Sequence, residues 1–421
     1  MRIPLFFLLF FFSGCAPSLD YKMLNNYARL DDCQQAVAYL EKASDSYGKN
    51  KKLLYLLDSA MINMRCGDYD KSNHFFHSAE ELAEKLWTKS ISRELTSFVI
   101  SDYTIPYDGE DFERAQINLF SAINYARLGD YEDALVECRR LDSLLSMYND
   151  KYEQKNVFKE DAFGRYLSGI LYETEGNLSD AYIDYYKAFK TYEDYATYYG
   201  TPMPSSLVKD LLRVADATDR FDDARSIVGD TKRWKWPGQK DVKEQGKVVL
   251  INFNGNSPVK ISNKFTVPTS RGPISIAFPS YKVSRPSCRN SQLIVKSEDQ
   301  TLRTDTEIVE DINRIAVKNL DDRKGRVITK AIARAVAKQV AVNQLTKDEN
   351  VKRLFNIINT IAIERADTRS WQTLPGEIWL ATHYLPPGKH QVYFNYCGRD
   401  QYVEDIEVKA GETKILLVDT M

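Results

Sequence analysis

Histidine and cysteine are both scarce: the 421 residues contain four His and six Cys. So few histidines leave little material for metal sites or histidine-based acid/base chemistry, and so few cysteines exclude a disulfide-dense miniature scaffold. Also missing are a Gly-rich segment that cradles a nucleotide phosphate, a Gly-x-Ser-x-Gly elbow, a Cys-x-x-Cys pair and a His-Glu-x-x-His pair. ATP-dependent, redox and zinc-protease chemistry therefore have no support, and neither a metal nor a cofactor is expected. No apolar run reaches the roughly twenty residues that a helix needs to cross a bilayer. Charge of one sign is lacking too, with a net of -2, and no nucleic-acid partner is expected.

That balance conceals two halves. Residues 1–240 carry 30 Lys+Arg against 38 Asp+Glu, about -8, whereas residues 241–421 carry 27 against 21, about +6. With 43% hydrophobic and 28% charged residues, the chain has material for about two to three domain cores.

At the start, Arg2 precedes an apolar run over residues 3–12 that only Pro4 interrupts, then Ser13, Gly14 and Cys15. This reads as a secretory signal, too short for a permanent membrane span. Phe12-Ser13-Gly14-Cys15 resembles a bacterial lipobox, with Phe12 where Leu is common. The resemblance implies cleavage after residue 14, a diacylated Cys15 as the mature N-terminus, and three acyl chains as a firm membrane anchor. Ala16 resembles the outer-membrane sorting pattern, which implies a lipid-anchored outer-membrane protein facing the periplasm.

One phrase recurs in the first half: Gly67-Asp68-Tyr69-Asp70-Lys71-Ser72, Gly129-Asp130-Tyr131-Glu132-Asp133-Ala134 and Gly176-Asn177-Leu178-Ser179-Asp180-Ala181. A small residue lies seven before each glycine (Ala60, Ala122, Gly169), and a larger one follows the last phrase position by four (Phe76, Cys138, Tyr185). This spacing resembles the tetratricopeptide repeat, whose antiparallel helices turn at the glycine and interlock small against large residues. Weaker copies run over residues 31–43, with Ala36 and Leu40 in register, and 219–227, with Phe221 and Ala224 in register. The turns lie 36, 62, 47 and 43 residues apart, so a four- to five-pair solenoid over residues 15–236 carries insertions, the largest near residues 85–110. Such an array is expected to offer a concave face to a protein partner.

Tyr192, Tyr195, Tyr198 and Tyr199 form a candidate aromatic surface for sugars or extended peptides, or else repeat packing. His74 and His77 are three apart on a predicted helix, with no third ligand near in sequence, which favours a structural role.

Periodicity fails over residues 230–246, and Pro237-Gly238 marks a linker at 237–246. An α+β domain is expected at 247–421: strands near 248–253, 274–278 and 293–295, helices at 311–320, 325–345 and 351–365, then a terminal β-sandwich-like meander over 377–418. The basic helix with Lys330, Arg334 and Lys338 is expected to pack on the sheet. The phrase at residues 366–378, with Leu385-Pro386-Pro387-Gly388-Lys389-His390, resembles a signature of an uncharacterised bacterial family of tetratricopeptide-containing outer-membrane lipoproteins. Members of that family are often encoded beside lipoproteins similar to the activator of a penicillin-binding protein; the resemblance implies an envelope setting and brings no catalytic residues. Asp367, Arg369 and Trp371 read either as a ligand site or as a fold device.

Cys33/Cys66 and Cys288/Cys397 are possible disulfides in an oxidising periplasm, whereas Cys138 holds a repeat-core position. The sequence thus reads as a non-enzymatic, lipid-anchored envelope scaffold that binds a protein partner through its repeats in cell-wall or surface assembly. The rival is a carbohydrate-binding or carbohydrate-processing protein. A peptidase-like C-terminal domain would require an exposed Ser or Cys within hydrogen-bond reach of His383 or His390.

Overall fold

The computed structural model describes residues 19–29, 32–94, 105–151, 158–267, 274–286, 288–298, 300–345 and 366–421. Cys15 and its leader, and the helix expected at 351–365, lie outside the described residues. Among these residues no helix is long and apolar enough to cross a membrane.

In the first half the described elements are all helical: α1 (Tyr21–Arg29), α2 (Cys33–Lys42), α3 (Ser44–Tyr47), α4 (Lys52–Arg65), α5 (Tyr69–Glu94), α6 (Asp111–Leu128), α7 (Tyr131–Lys151), α8 (Ala162–Thr174), α9 (Leu178–Tyr198), α10 (Ser205–Ala217), α11 (Phe221–Val228) and the short α12 (Gln239–Lys243). The recurrent glycines do what their phrase predicts. Gly67, Gly129 and Gly176 take φ of 76°, 86° and 77° and end α4, α6 and α8. In each turn the next residue's N–H returns to a carbonyl five residues back: Asp68 to Asn63, Asp130 to Tyr125 and Asn177 to Tyr172. That bond and the left-handed residue together close a helix end. The small-against-large interlock is tightest at Gly169, where an added Cβ would lie 2.4 Å from the Tyr185 ring. A Cys33–Cys66 disulfide, Cα atoms 5.6 Å apart, ties α2 to the end of α4.

The second half contains β1 (Gly246–Asn256), β2 (Val259–Val267), β3 (Ile274–Lys282), β4 (Ser291–Lys296), β5 (Thr301–Asp305), β6 (Glu307–Glu310), α13 (Ile312–Leu345), β7 (Pro375–Leu385), β8 (Gly388–Tyr396), β9 (Arg399–Val408) and β10 (Thr413–Thr420). Two four-stranded sheets, β10-β1-β7-β6 and β5-β4-β8-β9, face each other, and β2-β3 forms a separate hairpin. Val248 and Leu250 of β1, Leu293 and Val295 of β4, and Val392 and Phe394 of β8 meet in the sandwich core. The strands of the expected terminal meander divide between the sheets: β8 and β9 are a hairpin, whereas β7 and β10 flank β1, β10 in parallel. The helices expected at 311–320 and 325–345 are one continuous α13.

The first sheet has two buried faces, which is why β1 reads as a nearly unbroken apolar run. Val248 and Leu250 point into the sandwich, while Val249, Ile251 and Phe253 join the core of the helical array. That core also takes in Ile378, Leu380 and Ile415, so helices and sheet share one continuous interior.

Candidate functional site

In a repeat array the partner groove is expected on the face made by the first helix of each pair. Here α1, α4, α6, α8 and α10, the first helices of the described pairs, all meet the first sheet or its flanking loops, α1 through Asn25 and Asn256 of β1. Asp58 of α4 accepts from Thr373 Oγ1 at 2.7 Å, and from the Tyr21 and Tyr47 hydroxyls at 2.8 and 2.7 Å. Glu113 of α6 accepts from the Trp371 backbone N–H at 2.8 Å. Arg127 and Tyr131 donate to the Ile415 and Thr413 carbonyls of β10, occupying an edge that would otherwise be free to pair. Thr174 of α8 donates to Thr413 at 2.9 Å. Glu307 of β6 accepts from the Ser205 and Ser206 N–H groups, capping α10 from across the interface.

The cluster Asp367-Arg369-Trp371 lies at the centre of this contact. Arg369 holds Asp367 through two nitrogens at 2.9 and 2.6 Å and donates to the Asn50 and Ile105 carbonyls at 2.9 and 2.8 Å. Burial pushes the Asp367 carboxyl up, but Arg369 outweighs it and holds the group below the usual carboxylate range. Trp371, 1% exposed, sits edge-on to Phe76 and Phe120, with ring centroids 6.1 Å away in each case. Its indole N–H donates to Thr373. The cluster clasps two parts of the chain and presents no open face there.

A second buried group escaped the sequence reading because its members are scattered along the chain. Arg213 lies 2.5 Å from Glu173 and 2.8 Å from Asp210; Lys247 lies 3.1 Å from Asp210 and 3.5 Å from Glu173. Burial raises the Asp210 carboxyl, yet Lys247 and Arg213 outweigh it and hold it at about 2. Two cations face two anions, with Tyr166, Tyr185 and Tyr384 donating to the carboxylates. The only sequence signal was Lys247 beginning an otherwise apolar strand.

The proposed aromatic surface is corrected. Tyr192, Tyr195 and Tyr199 are interior, and only Tyr198, 44% exposed, faces outward. Tyr192 donates to the Val309 carbonyl and Tyr195 to Glu310, so these rings attach α9 to β6. His77 meets the Tyr125 hydroxyl at 3.1 Å, and His74 is exposed. His390 lies between the half-buried Ser297 (2.8 Å, at Nδ1) and the Pro386 carbonyl (2.9 Å, at Nε2), joining two turns of the sandwich. His383 meets Thr304. Cys138, Cys288 and Cys397 are free thiols, and Cys138 is buried.

No protein-family model matches the chain, and no curated protein does. Among solved structures the chain is similar to MamA from AMB-1, at 10% identity and a TM-score of 0.29, over 49% of this chain and 85% of that one. It is also similar to a Podosopora anserina protein described as a kinesin light chain with nearly identical TPR-like repeats, at 11% identity and 0.32, over 51% and 91%. Both are helical repeat proteins of the tetratricopeptide type. At these scores the likeness carries no argument of its own; the repeat stands on the turns and interlocks above.

Proposed function

We propose that this chain is a non-enzymatic, lipid-anchored envelope scaffold, held at the outer membrane through Cys15, whose helical array grips its own sheet domain. The composite outer surface then meets a protein partner in cell-wall or surface assembly. The observation that carries the reading is the occupied inner face: among the described residues α1, α4, α6, α8 and α10 are each hydrogen-bonded to the C-terminal half. A face closed in this way makes the molecule a rigid composite in place of an open peptide groove. The lipobox resemblance supports the anchor.

The test is crosslinking capture from native envelopes with wild-type protein and a Cys15→Ala variant, followed by mass spectrometry of captured proteins and of the mature N-terminus. One protein set that depends on an acylated Cys15 supports the scaffold. An unacylated N-terminus with no enriched protein overturns it.

A further inference from the structure

The helical array ends unevenly. Helix α9 has 21 residues and its outer neighbour α11 has eight, a difference of about 20 Å of helix at 1.5 Å per residue. Helix α11 stops at Gly229, whose φ of 75° turns the chain away, and residues 231–234 fold back across the gap. What remains is a cavity of about 590 Å³, a size typical of small-molecule sites. Its walls are apolar and aromatic: Phe189 and Tyr192 from α9, Met203 from the following loop, Val208 from α10, Val228 from α11, and Trp234. The Tyr192 hydroxyl is already committed to the Val309 carbonyl, so this residue brings its ring rather than a polar group.

Two charges mark the lining, Glu193 and Arg233. Glu193 is matched by Lys190 at 3.1 Å on its own helix. Arg233 rests over the Trp234 ring, 5.2 Å from the centroid, and among the described residues it has no carboxylate partner. Lys232 and Lys235 flank it and are exposed. The Trp234 indole N–H is buried without an acceptor among the described residues. An apolar chamber with an unmatched cation at its lip is complementary to an amphipathic anion.

We infer that this cavity binds a small amphipathic anion, an alkyl or aromatic body inside it and a carboxylate-type head on Arg233. The site lies beside the interface between array and sheet, and Tyr192 belongs to both: its ring lines the cavity and its hydroxyl reaches Val309.

The experiment is calorimetric titration of the Cys15→Ala full chain, free of acyl groups and detergent, with decanoate, and with decyltrimethylammonium as the same chain bearing the opposite charge. Ala196→Trp fills the cavity from an exposed lining position, and Arg233→Glu inverts the lip; both positions are exposed, and unchanged circular dichroism confirms folding. Decanoate is expected to saturate at one per chain and to bind at least tenfold more tightly than the cation. Ala196→Trp is expected to abolish binding, and Arg233→Glu to weaken it at least tenfold. Non-saturating binding, equal binding of both amphiphiles, or a folded Ala196→Trp chain that binds like wild type overturns the inference.

Discussion

The Glu113 carboxylate accepts the backbone N–H of Trp371 at 2.8 Å, a bond between an array helix and a loop 258 positions later in the chain. Trp371 fills the space between Phe76 and Phe120, and Phe120 in turn meets Phe253 of β1 at 5.3 Å. Trp371→Ala is therefore expected to cost about 3–5 kcal/mol. Because the core is continuous, circular dichroism of the helices and fluorescence of the remaining tryptophans should shift to lower urea together. Glu113→Gln keeps one acceptor oxygen for Trp371 but turns an amide N–H2 toward the Glu110 N–H that Glu113 now accepts, and is expected to cost about 1–3 kcal/mol.

Gly169→Ala is expected to destabilise, although alanine ordinarily favours a helix interior by roughly 0.5–1 kcal/mol. The new Cβ would meet Tyr185, which is fixed by its hydroxyl's bond to Glu173, so overpacking costs about 1–3 kcal/mol. Thermal melting reads the sign directly.

Mild acid should stabilise the protein. Burial raises Asp58, Asp161 and Asp311 from 3.8 to about 6. A carboxyl raised on folding contributes stability that is complete below 3.8 and lost as the pH climbs through 6, about 2–3 kcal/mol for a fully buried group. Asp210, held at about 2, acts only in stronger acid, and His383, lowered by burial, opposes the trend below 6.5. The melting temperature is expected to be higher at pH 5 than at pH 8. Glu310, raised well above 4.5 by burial and with Oε2 unpartnered among the described residues, predicts that Glu310→Gln stabilises at pH 8 and narrows this difference.

The three free thiols among the described residues should separate by reactivity. A hydrogen bond with Cys397 draws Cys288 below the ordinary thiol value and raises Cys397, while burial pushes Cys138 up. Iodoacetamide with peptide mapping should label Cys288 first, Cys397 more slowly and Cys138 only on unfolding.

The array was legible because its turns are local: glycine, the following Asp or Asn, and the small and large positions recur at fixed spacing along one stretch. Strands β1, β8 and β10 were legible from apolar runs or alternation. Strand β5, with residues Thr301–Asp305, and strand β2, with Lys260 and Lys264 among its apolar residues, carried too much polarity to register. The tyrosines of α9 misled because composition does not say which side of a helix is covered. Their partners, Val309 and Glu310, come from more than a hundred residues away, as do the partners that Asp58, Glu113 and Thr174 find in the C-terminal half. Nothing local announces that an array's inner face is taken by the same chain.

That occupied face is tested most directly by locking it. Thr174 and Thr413 lie with hydroxyl oxygens 2.9 Å apart across the interface. A Thr174→Cys/Thr413→Cys chain, oxidised and mapped by mass spectrometry, is expected to crosslink these two positions within one monomer and to capture the same envelope proteins as wild type. Failure to crosslink, or a locked chain that loses its partners until reduced, would show that the array opens and that its inner face is the binding groove.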